Sequence, residues 1–381
     1  MALAEIVGIG RTKTGEQWDH GLLDLAAEAA GAALDEARSI SPSGLVVGNA
    51  LHGALGDQRN LATYLASRLG LGPIEAISVA DDEASGGTAL RSALSMLAFG
   101  GHESVLVVGV EKTCDAPPDE LEAARASGLD AVREGGFGFG PSVAAGLGMG
   151  QYISKYGVDR DLFYHLPAIA HHHAARNPLA FFAWPLSFEQ YKRSGMVAEP
   201  LTVCDQAPMC DGAAAVLVRK AGSTTTGSHI KVLGSSSVSV ATGIDRPVLE
   251  LSLPASTMSV AQALSQSKVA LDEVSCFELH DANSFIAALA IEAVGLADAG
   301  QALVSAERGE YRVGGRYPMW TFGGNKARGH APGASGVYQV AESVLQLRGG
   351  AGDNQVQDAQ LALVQSLGSF GATAVTHVLG Q

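Results

Sequence analysis

The sequence predicts an α/β protein with a duplicated core, in which a layer of helices lies between two sheets. Strand-like and helix-like segments alternate in both halves of the 381 residues, which is typical of largely parallel sheets with helices on their faces. One helix–strand pattern occurs twice. The repeated helices are rich in Ala and Gly, and such helices suit a layer in which backbones approach closely.

The N-terminal half begins the alternation and is interrupted once. We predict strands over residues 5–10, 44–50, 74–80 and 104–110, and helices over residues 21–39, 61–71 and 84–99. Residues from about 115 to 200 contain a glycine run, a His triplet and aromatic clusters, which indicate an inserted loop domain. The strand-like segment 213–219 returns to the core.

The C-terminal half repeats this order after a linker at residues 221–228. We predict strands over residues 230–240, 275–279, 360–367 and 372–379, and helices over residues 260–270, 283–294 and 337–347. The predicted units are an N-terminal half (1–115 and 200–222), a loop domain (116–199) and a C-terminal half (228–381).

The repeat lies in two helical segments of similar pattern. Residues 84–101 (ASGGTALRSALSMLAFGG) match residues 333–350 (GASGVYQVAESVLQLRGG) in their small-residue start, apolar face and terminal glycine pair. A buried strand follows each one. Such a repeat indicates a duplicated α/β half, although two ordinary amphipathic helices could match by chance.

Composition excludes several classes of function. The net charge of −14 argues against broad nucleic-acid binding, which needs many Lys and Arg side chains to neutralise phosphates. No apolar run approaches the ~20 residues of a membrane span, and no signal peptide is evident. The four cysteines fit no zinc motif, and we expect them to be reduced thiols. We therefore expect a cytoplasmic protein.

The first segment that could carry chemistry is VADDEASGG, residues 79–87, where a strand delivers Glu83 to a turn before a helix. A side chain there lies near the positive end of the helix dipole, among free backbone N–H groups. A cysteine would be activated as a thiolate and a carboxylate would be held ionised. Alternatively, Glu83 only stabilises the helix start, by about 0.3–1 kcal/mol.

The second segment is FELHDANSF, residues 277–285, which projects His280 and Asp281 from the end of a strand. Ligand sites form at such strand ends in open α/β sheets. The alternative is a helix cap, with Asp281 or Asn283 accepting hydrogen bonds from backbone amides.

Two glycine-rich segments complete the candidates. GGNKARGHAPGASG, residues 323–336, carries His330, and its Lys326 and Arg328 are weak candidates for binding a phosphate or an adenine nucleotide. It matches no phosphate-binding fingerprint. SLGSFGATAV, residues 366–375, could donate backbone amides to an oxyanion, or could be only a hairpin turn.

The His triplet at residues 171–173 does not predict a metal site. Consecutive helical residues point about 100° apart, so they chelate a metal ion poorly. We expect no metal in this protein.

Together these segments resemble the thiolase superfamily, in particular the thiolases of the sterol-carrier-protein type and their archaeal relatives. The resemblance covers nearly the whole chain, and its motifs occur in the expected order. They are IVGIGRTKTGE (6–16), EASGGTALRSA (83–93), GVEKTCD (109–115), DQAPMCDGAAAVLV (205–218), HDAN (280–283), GGNKARGHAPGASG (323–336) and LGSFGATAV (367–375). It implies a five-layer αβαβα sandwich of two mixed sheets with buried central helices.

The resemblance also implies the site. Glu83 stands where the family has its nucleophilic cysteine, and His280 and His330 match the histidines that hold the thioester oxygen. The turn at Gly368 to Gly371 matches a second oxyanion hole, and Ser85 matches the small polar residue two places after the nucleophile. We therefore expect Glu83, Ser85, His280, His330 and Gly371 to form the site.

The departures from the family put ordinary thiolysis in doubt. The second acid/base cysteine is also missing, because its two possible positions are Ala282 and Gly368, and Trp320 and Phe322 add bulk to a neighbouring motif. Three functions remain open. The first is C–C bond cleavage or formation next to a thioester without an acyl-cysteine, with Glu83 as acid or base. The others are an acetyl-CoA acetyltransferase of the ordinary class and a catalytically silent subunit.

Ligands and partners follow from the same resemblance. Coenzyme A is expected as part of the substrate, with no tightly bound cofactor, and the family implies a homodimer formed through the core sheet. Similar thiolase-like proteins in steroid side-chain degradation work with a small partner that carries a zinc ribbon and an OB-fold. Such an acyl-CoA-binding partner is therefore a further expectation.

Overall fold

Most strands of the protein join one mixed sheet. The computed structural model describes residues 2–38, 40–56, 58–130, 132–222, 229–241 and 250–381. The strands in these residues are β1 (Ala4–Arg11), β2 (Gly44–Gly48), β3 (Glu75–Val79), β4 (Ser104–Glu111), β5 (Met196–Ala198), β6 (Leu201–Thr202), β7 (Gly212–Lys220), β8 (Ile230–Ser239), β9 (Cys276–Glu278), β10 (Leu361–Gly368) and β11 (Thr373–Gly380). Most of the predicted linker, residues 223–228, lies outside the described residues.

The helices lie on the outer faces of this sheet and between its two halves. They are α1 (Leu22–Ala37), α2 (His52–Leu55), α3 (Leu61–Arg68), α4 (Ser85–Phe99), α5 (Pro118–Ala126), α6 (Pro141–Tyr156), α7 (His165–Ala174), α8 (Phe188–Lys192), α9 (Pro254–Ser267), α10 (Ser284–Val294), α11 (Ala302–Glu307) and α12 (Pro332–Leu347). None of them, within the described ranges, is long and apolar enough to cross a membrane.

The sheet contains nine of the described strands, in the order β3–β2–β4–β7–β1–β8–β11–β10–β9. All eight residues of β4 are buried, as expected of a Val-rich strand covered on both faces. The two predicted sheets are continuous, because β1 and β8 pair antiparallel with Ala4 opposite Val232 and Ile6 opposite Ile230. Unpaired backbone groups at these inner edges would be costly to bury, so the halves share their hydrogen bonds.

The repeated segments form the central layer. Helices α4 and α12 pack against each other, and α12 also contacts β4 of the first half and β10 of the second. Fifteen of its sixteen residues are buried. A Cβ atom on Gly336 would lie 2.5 Å from the Gly87 nitrogen, so the backbones meet where the sequence has glycine. With α1 on one outer face and α9 on the other, the layers follow the αβαβα order.

The segment predicted as a loop domain is mainly helical. It contains α5 to α8, and α6 packs against α10 of the C-terminal half. Its helices α5 and α6 have prolines in their first turns, a position that proline favours. This segment matters for function because residues near the end of α5 and the start of α6 reach the site.

Candidate active site

A narrow cavity forms beside the start of the central helix α4 and the start of α10. It leaves about 20 Å³ for the centres of water molecules, which is room for roughly one. Its walls come from the turn before α4, the end of β9, the turn after β10 and the segment around α5 and α6. The lining residues are Asp82, Glu83, Arg125, Leu129, Pro141, His280, Ala282, Asn283, Ile286, Leu367, Phe370 and Gly371.

The turn after β3 presents Glu83 to this cavity. Asp82 has a left-handed backbone (φ 47°), and the Ser85 hydroxyl donates to the Asp82 carbonyl at 2.6 Å. The Asp81 amide in turn donates to Ser85 Oγ at 2.9 Å. Ser85 is fully buried and does not line the cavity, so it shapes the turn and does not reach a ligand there.

His280 and His330 converge on Glu83. His280 follows β9, and its Nε2 lies 3.0 Å from Glu83 Oε2. His330 precedes α12, and its Nε2 lies 3.3 Å from Glu83 Oε1. Both imidazoles are almost fully buried and their ring centroids are 5.8 Å apart, whereas 16% of the Glu83 side chain is exposed. The structure therefore brings together three side chains that belong to three separate motifs of the sequence.

Electrostatics favour an ionised Glu83. Burial alone raises the pKa of this carboxyl, but the electrostatic interaction with His330 and the hydrogen bond from His280 outweigh burial and hold the pKa well below its usual range. Burial lowers the pKa of His330, and Glu83 partly opposes that effect. A carboxyl group with a low pKa is a weak base, so Glu83 is better suited to holding the imidazoles than to removing a proton.

Asp82 is a functional candidate that the sequence reasoning missed. Its carboxylate lines the same cavity, and Oδ2 accepts a hydrogen bond from the Ser369 amide at 2.8 Å. Burial and the neighbouring charge of Glu83 raise the pKa of Asp82 to about 6. The acidic run DDE was the available signal. Arg125, from the inserted segment, was also missed, and no local motif marks it.

The turn after β10 closes the other side of the cavity. Gly371 lines it with φ 90°, and a Cβ atom there would lie 2.4 Å from Leu253 Cδ2, so glycine is required. Phe370 also lines the cavity. The Ser369 amide is engaged by Asp82, so it is not a free oxyanion donor in this arrangement.

Lys326 and Arg328 do not reach the cavity. Both side chains are buried, and Lys326 Nζ donates to the Cys204 carbonyl at 2.7 Å. Arg328 donates to Asn325 at 2.7 Å and lies 3.5 Å from Glu342. These cations satisfy internal acceptors, and their positions give no support to the prediction that they bind a phosphate.

The residues after His280 accept hydrogen bonds from backbone amides, as the helix-cap alternative predicted. Asn283 Oδ1 accepts from the Ile286 amide at 2.9 Å, which caps α10. Asp281 accepts from the Asn325 and Lys326 amides at 2.7 and 3.1 Å and so fixes the glycine-rich loop.

Trp320 and Phe322 do not line the cavity either. Trp320 is fully buried and donates from its indole N–H to the Leu279 carbonyl at 2.8 Å. The expected extra bulk of Trp320 therefore supports the strand that carries His280.

The His triplet is structural in two of its members. His171 Nδ1 lies 3.1 Å from the Trp184 carbonyl and His173 Nδ1 lies 3.1 Å from the Trp320 carbonyl. Burial lowers the pKa of both to about 4. Among the described residues, the group with metal-ligand geometry is a different one: Glu83, His280 and His330, whose ligand atoms lie within 4.8 Å of one another.

None of the four cysteines lines the cavity. Cys210 and Cys276 are buried, and burial raises the pKa of each thiol. Burial and Asp211 raise the pKa of Cys114 to about 12. A thiol of this kind is not a thiolate nucleophile at neutral pH.

Comparison with known families gives two matches along the chain. Residues 4–182 match the model described as "Thiolase, N-terminal domain", and residues 245–381 match "Thiolase C-terminal domain-like". An acetyl-CoA acetyltransferase of Methanothermobacter thermautotrophicus is 33% identical over 382 residues, covering 99% of both chains. Human sterol carrier protein 2 is 29% identical over 388 residues, 97% of this chain and 71% of that protein.

Solved structures agree on the fold. The structure titled Ltp2-ChsH2(DUF35) aldolase has a TM-score of 0.83 at 23% identity and covers 99% of this chain and 97% of that one. Human mitochondrial 3-ketoacyl-CoA thiolase in complex with CoA has a TM-score of 0.76 at 18% identity and covers 100% of this chain and 99% of that one. The predicted fold class is confirmed.

Proposed function

The chain belongs to the thiolase family, and we propose that it acts on acyl-coenzyme A thioesters, breaking or forming a C–C bond without an acyl-cysteine intermediate. The observation that carries this proposal is Glu83, a carboxylate that lines a cavity with no thiol in its walls and contacts two buried imidazoles, of which His280 also lines the cavity and His330 lies behind Glu83. A carboxylate is a poor acyl acceptor because the mixed anhydride hydrolyses readily. The same groups suit acid–base chemistry next to a thioester.

Retro-aldol cleavage of a β-hydroxyacyl-CoA fits these groups. A base removes the hydroxyl proton, the bond between the α and β carbons breaks, and an aldehyde or ketone leaves. The electron pair passes to the α carbon as a thioester enolate, which takes a proton to give the shortened acyl-CoA. The reaction needs a base and a stabiliser of the enolate oxygen, but no nucleophile and no oxidant.

We assign the removal of the hydroxyl proton to Asp82. We assign the stabilisation of the enolate oxygen to the centre formed by Glu83, His280 and His330. Glu83 was the base predicted from the sequence. Its low pKa and its two imidazole neighbours make it a poor one, whereas Asp82 lines the cavity with a pKa of about 6. A base is most effective when its pKa lies near the working pH.

The acyl group needs more room than the cavity now offers. Leu129, Pro141 and Phe370 form its apolar walls, and two of these belong to the inserted segment. We propose that this segment moves on substrate binding. We also propose the small zinc-ribbon and OB-fold partner implied by the family resemblance, and the fold neighbour titled Ltp2-ChsH2(DUF35) aldolase is consistent with a two-component enzyme.

One assay tests this proposal. The purified chain is incubated with a β-hydroxyacyl-CoA, and in parallel with acetoacetyl-CoA plus coenzyme A. Release of aldehyde or ketone from the first substrate, lost in Asp82→Asn and in Glu83→Ala, supports the lyase. Unchanged turnover in both variants contradicts it. If the chain alone is silent, co-purification from its source identifies a required partner before the assay is repeated.

The acetyltransferase remains a second candidate because relatives up to 33% identical carry that name. It predicts thiolysis of acetoacetyl-CoA by the unmodified chain. A silent subunit predicts that neither substrate turns over, and that an active thiolase co-purifies. The same two incubations, together with co-purification, therefore separate all three functions.

A further inference from the structure

We propose that Glu83, His280 and His330 form a binding site for a divalent transition-metal cation, such as Zn²⁺, Fe²⁺ or Co²⁺. The inference departs from the sequence prediction of no metal. Its catalytic meaning rests on the proposed function, but the binding itself does not.

The three side chains bring their ligand atoms close enough to share one cation, with each imidazole nearest a different oxygen of the Glu83 carboxylate. His280 Nε2 lies 3.0 Å from Glu83 Oε2, and His330 Nε2 lies 3.3 Å from Glu83 Oε1. All three ligand atoms lie within 4.8 Å of one another. Zinc binds nitrogen and carboxylate oxygen at about 2.0–2.2 Å, which places neighbouring ligands about 3–3.5 Å apart. Two imidazoles and one carboxylate also form the set found in catalytic zinc and non-haem iron sites.

His330 is oriented as a ligand. Its Nδ1 lies 2.9 Å from Ser335 Oγ, and that hydroxyl donates to the Ala331 carbonyl at 3.1 Å. Because the hydroxyl proton is used, Ser335 accepts from Nδ1–H, which leaves the Nε2 lone pair of a neutral imidazole facing Glu83. Such a second partner typically fixes the ring of a metal-binding histidine.

A buried ring nitrogen of His330 that lacks a hydrogen-bond partner among the described residues points to a ligand. Its side chain is 1% exposed, and among the described residues Nε2 has no hydrogen-bond partner of good geometry. A buried polar atom left in this way is costly unless something completes it. A cation between Nε2 and the carboxylate would supply the partner for both groups.

A cation would also resolve a conflict in the site. Without it, His280 Nε2 is held by Glu83 and the lone pair of His330 Nε2 faces the same carboxylate, so neither imidazole has a free N–H for a thioester oxygen. A cation held by three protein ligands keeps open positions, and there it can polarise an enolate oxygen as a Lewis acid. The cavity lining also includes the Asp82 carboxylate, which would attract a cation, and the Arg125 guanidinium, which would repel it.

Metal titration of the full chain tests the site directly. After treatment with a chelator, the chain is titrated with Co²⁺ and Zn²⁺ and followed by the visible absorption of bound Co²⁺ and by calorimetry. We expect one equivalent to bind, and at least a tenfold loss of affinity in Glu83→Gln, His280→Ala and Ser335→Ala. His172→Ala is the matched control, because that imidazole is exposed in the neighbouring triplet, and its affinity should be unchanged.

Folding is checked on each variant by circular dichroism and thermal unfolding. Metal should raise the unfolding temperature of the unmodified chain but not that of a folded Glu83→Gln or His280→Ala variant. Absence of Co²⁺ bands, or equal losses in His172→Ala and His280→Ala, overturns the inference. If β-hydroxyacyl-CoA cleavage persists in a chelated chain that binds no metal, the proposed function stands and the metal site alone is refuted.

Discussion

At the scale of the residue, the carboxylate at position 83 determines what the two imidazoles beside it can do. Glu83 lies against the Nε2 atoms of both His280 and His330, so neither imidazole offers a free N–H to a thioester oxygen. In the proposed reaction, the proton-transfer role then falls to a neighbouring group. Asp82 is held for that role by a left-handed turn and by the amide of Ser369.

The first prediction concerns the pH dependence of Asp82. As a base it must be ionised, so kcat/KM of the cleavage should climb as pH rises through about 6 and level off above it. Asp82→Asn keeps an acceptor for Ser369 but cannot take a proton, so turnover should fall by about 10²–10⁴. Steady-state kinetics from about pH 5 to 8 measure both.

The control for this prediction is Asp119→Asn, at the exposed start of α5. Its pH profile should match that of the unmodified chain. A rising limb that survives in Asp82→Asn would assign the titrating group elsewhere.

A second residue-scale prediction uses Glu83→Cys. A thiol at this position would face His330 and the start of α4, which lower the pKa of a cysteine. We expect iodoacetamide to modify this introduced thiol at neutral pH much faster than Cys210 and Cys276, which are buried. Peptide mass spectrometry over time gives the rates, and equal rates at all positions would show that the site does not activate a thiol.

At the scale of the element, the contact between α4 and α12 sets how Glu83 and His330 meet, since Glu83 precedes one helix and His330 the other. Gly336→Ala places a Cβ atom 2.5 Å from the Gly87 nitrogen, and the backbone of α4 cannot shift easily to relieve this contact. We expect a loss of about 1–3 kcal/mol in the free energy of unfolding. Denaturant titration measures it.

The matched control for that substitution is Gly31→Ala in α1. A Cβ atom there meets nothing within 4 Å, and alanine favours a helix interior. This variant should be more stable by about 0.5–1 kcal/mol. Similar effects of the two substitutions would mean that the helix contact is looser than the structure indicates.

Strands and helices could be predicted from the sequence where the residues of one segment are enough to indicate them. The strand predicted at 104–110 is observed as Ser104–Glu111, and the repeated helices occupy the central layer. The pairing of β1 with β8 was not predictable, because it joins segments that are far apart in the sequence and leaves no mark in either one. The burial of Lys326 and Arg328 was not predictable for a similar reason: a glycine-rich loop does not reveal whether its cations face solvent or buried acceptors.

The site was predictable only in part. The resemblance brought Glu83, His280 and His330 together because their motifs are specific. It could not assign a role to Asp82, since the family pattern concerns the residue after it. Burial and a left-handed turn give Asp82 its position, and both depend on tertiary structure.

At the scale of the whole molecule, the continuous sheet has two edges of different character. The β9 edge is covered, because Phe277 exchanges backbone hydrogen bonds with Pro318 and Trp320. The outer edge of β3 pairs with no other strand in the described residues. An open edge strand is a template for pairing with another chain. This edge is where we propose that a homodimer forms, extending the sheet across a two-fold axis.

The dimer prediction follows from that edge. Analytical ultracentrifugation should give twice the chain mass of 39.0 kDa for the unmodified protein. Lysine on an edge strand opposes pairing with another chain, so Ser78→Lys should shift the protein towards monomer. Ser78 is exposed in β3, and Thr63→Lys on the exposed face of α3 is the matched control, which should stay dimeric. A monomeric unmodified chain would contradict pairing at β3, while a dimer unaffected by Ser78→Lys would place the interface on another surface.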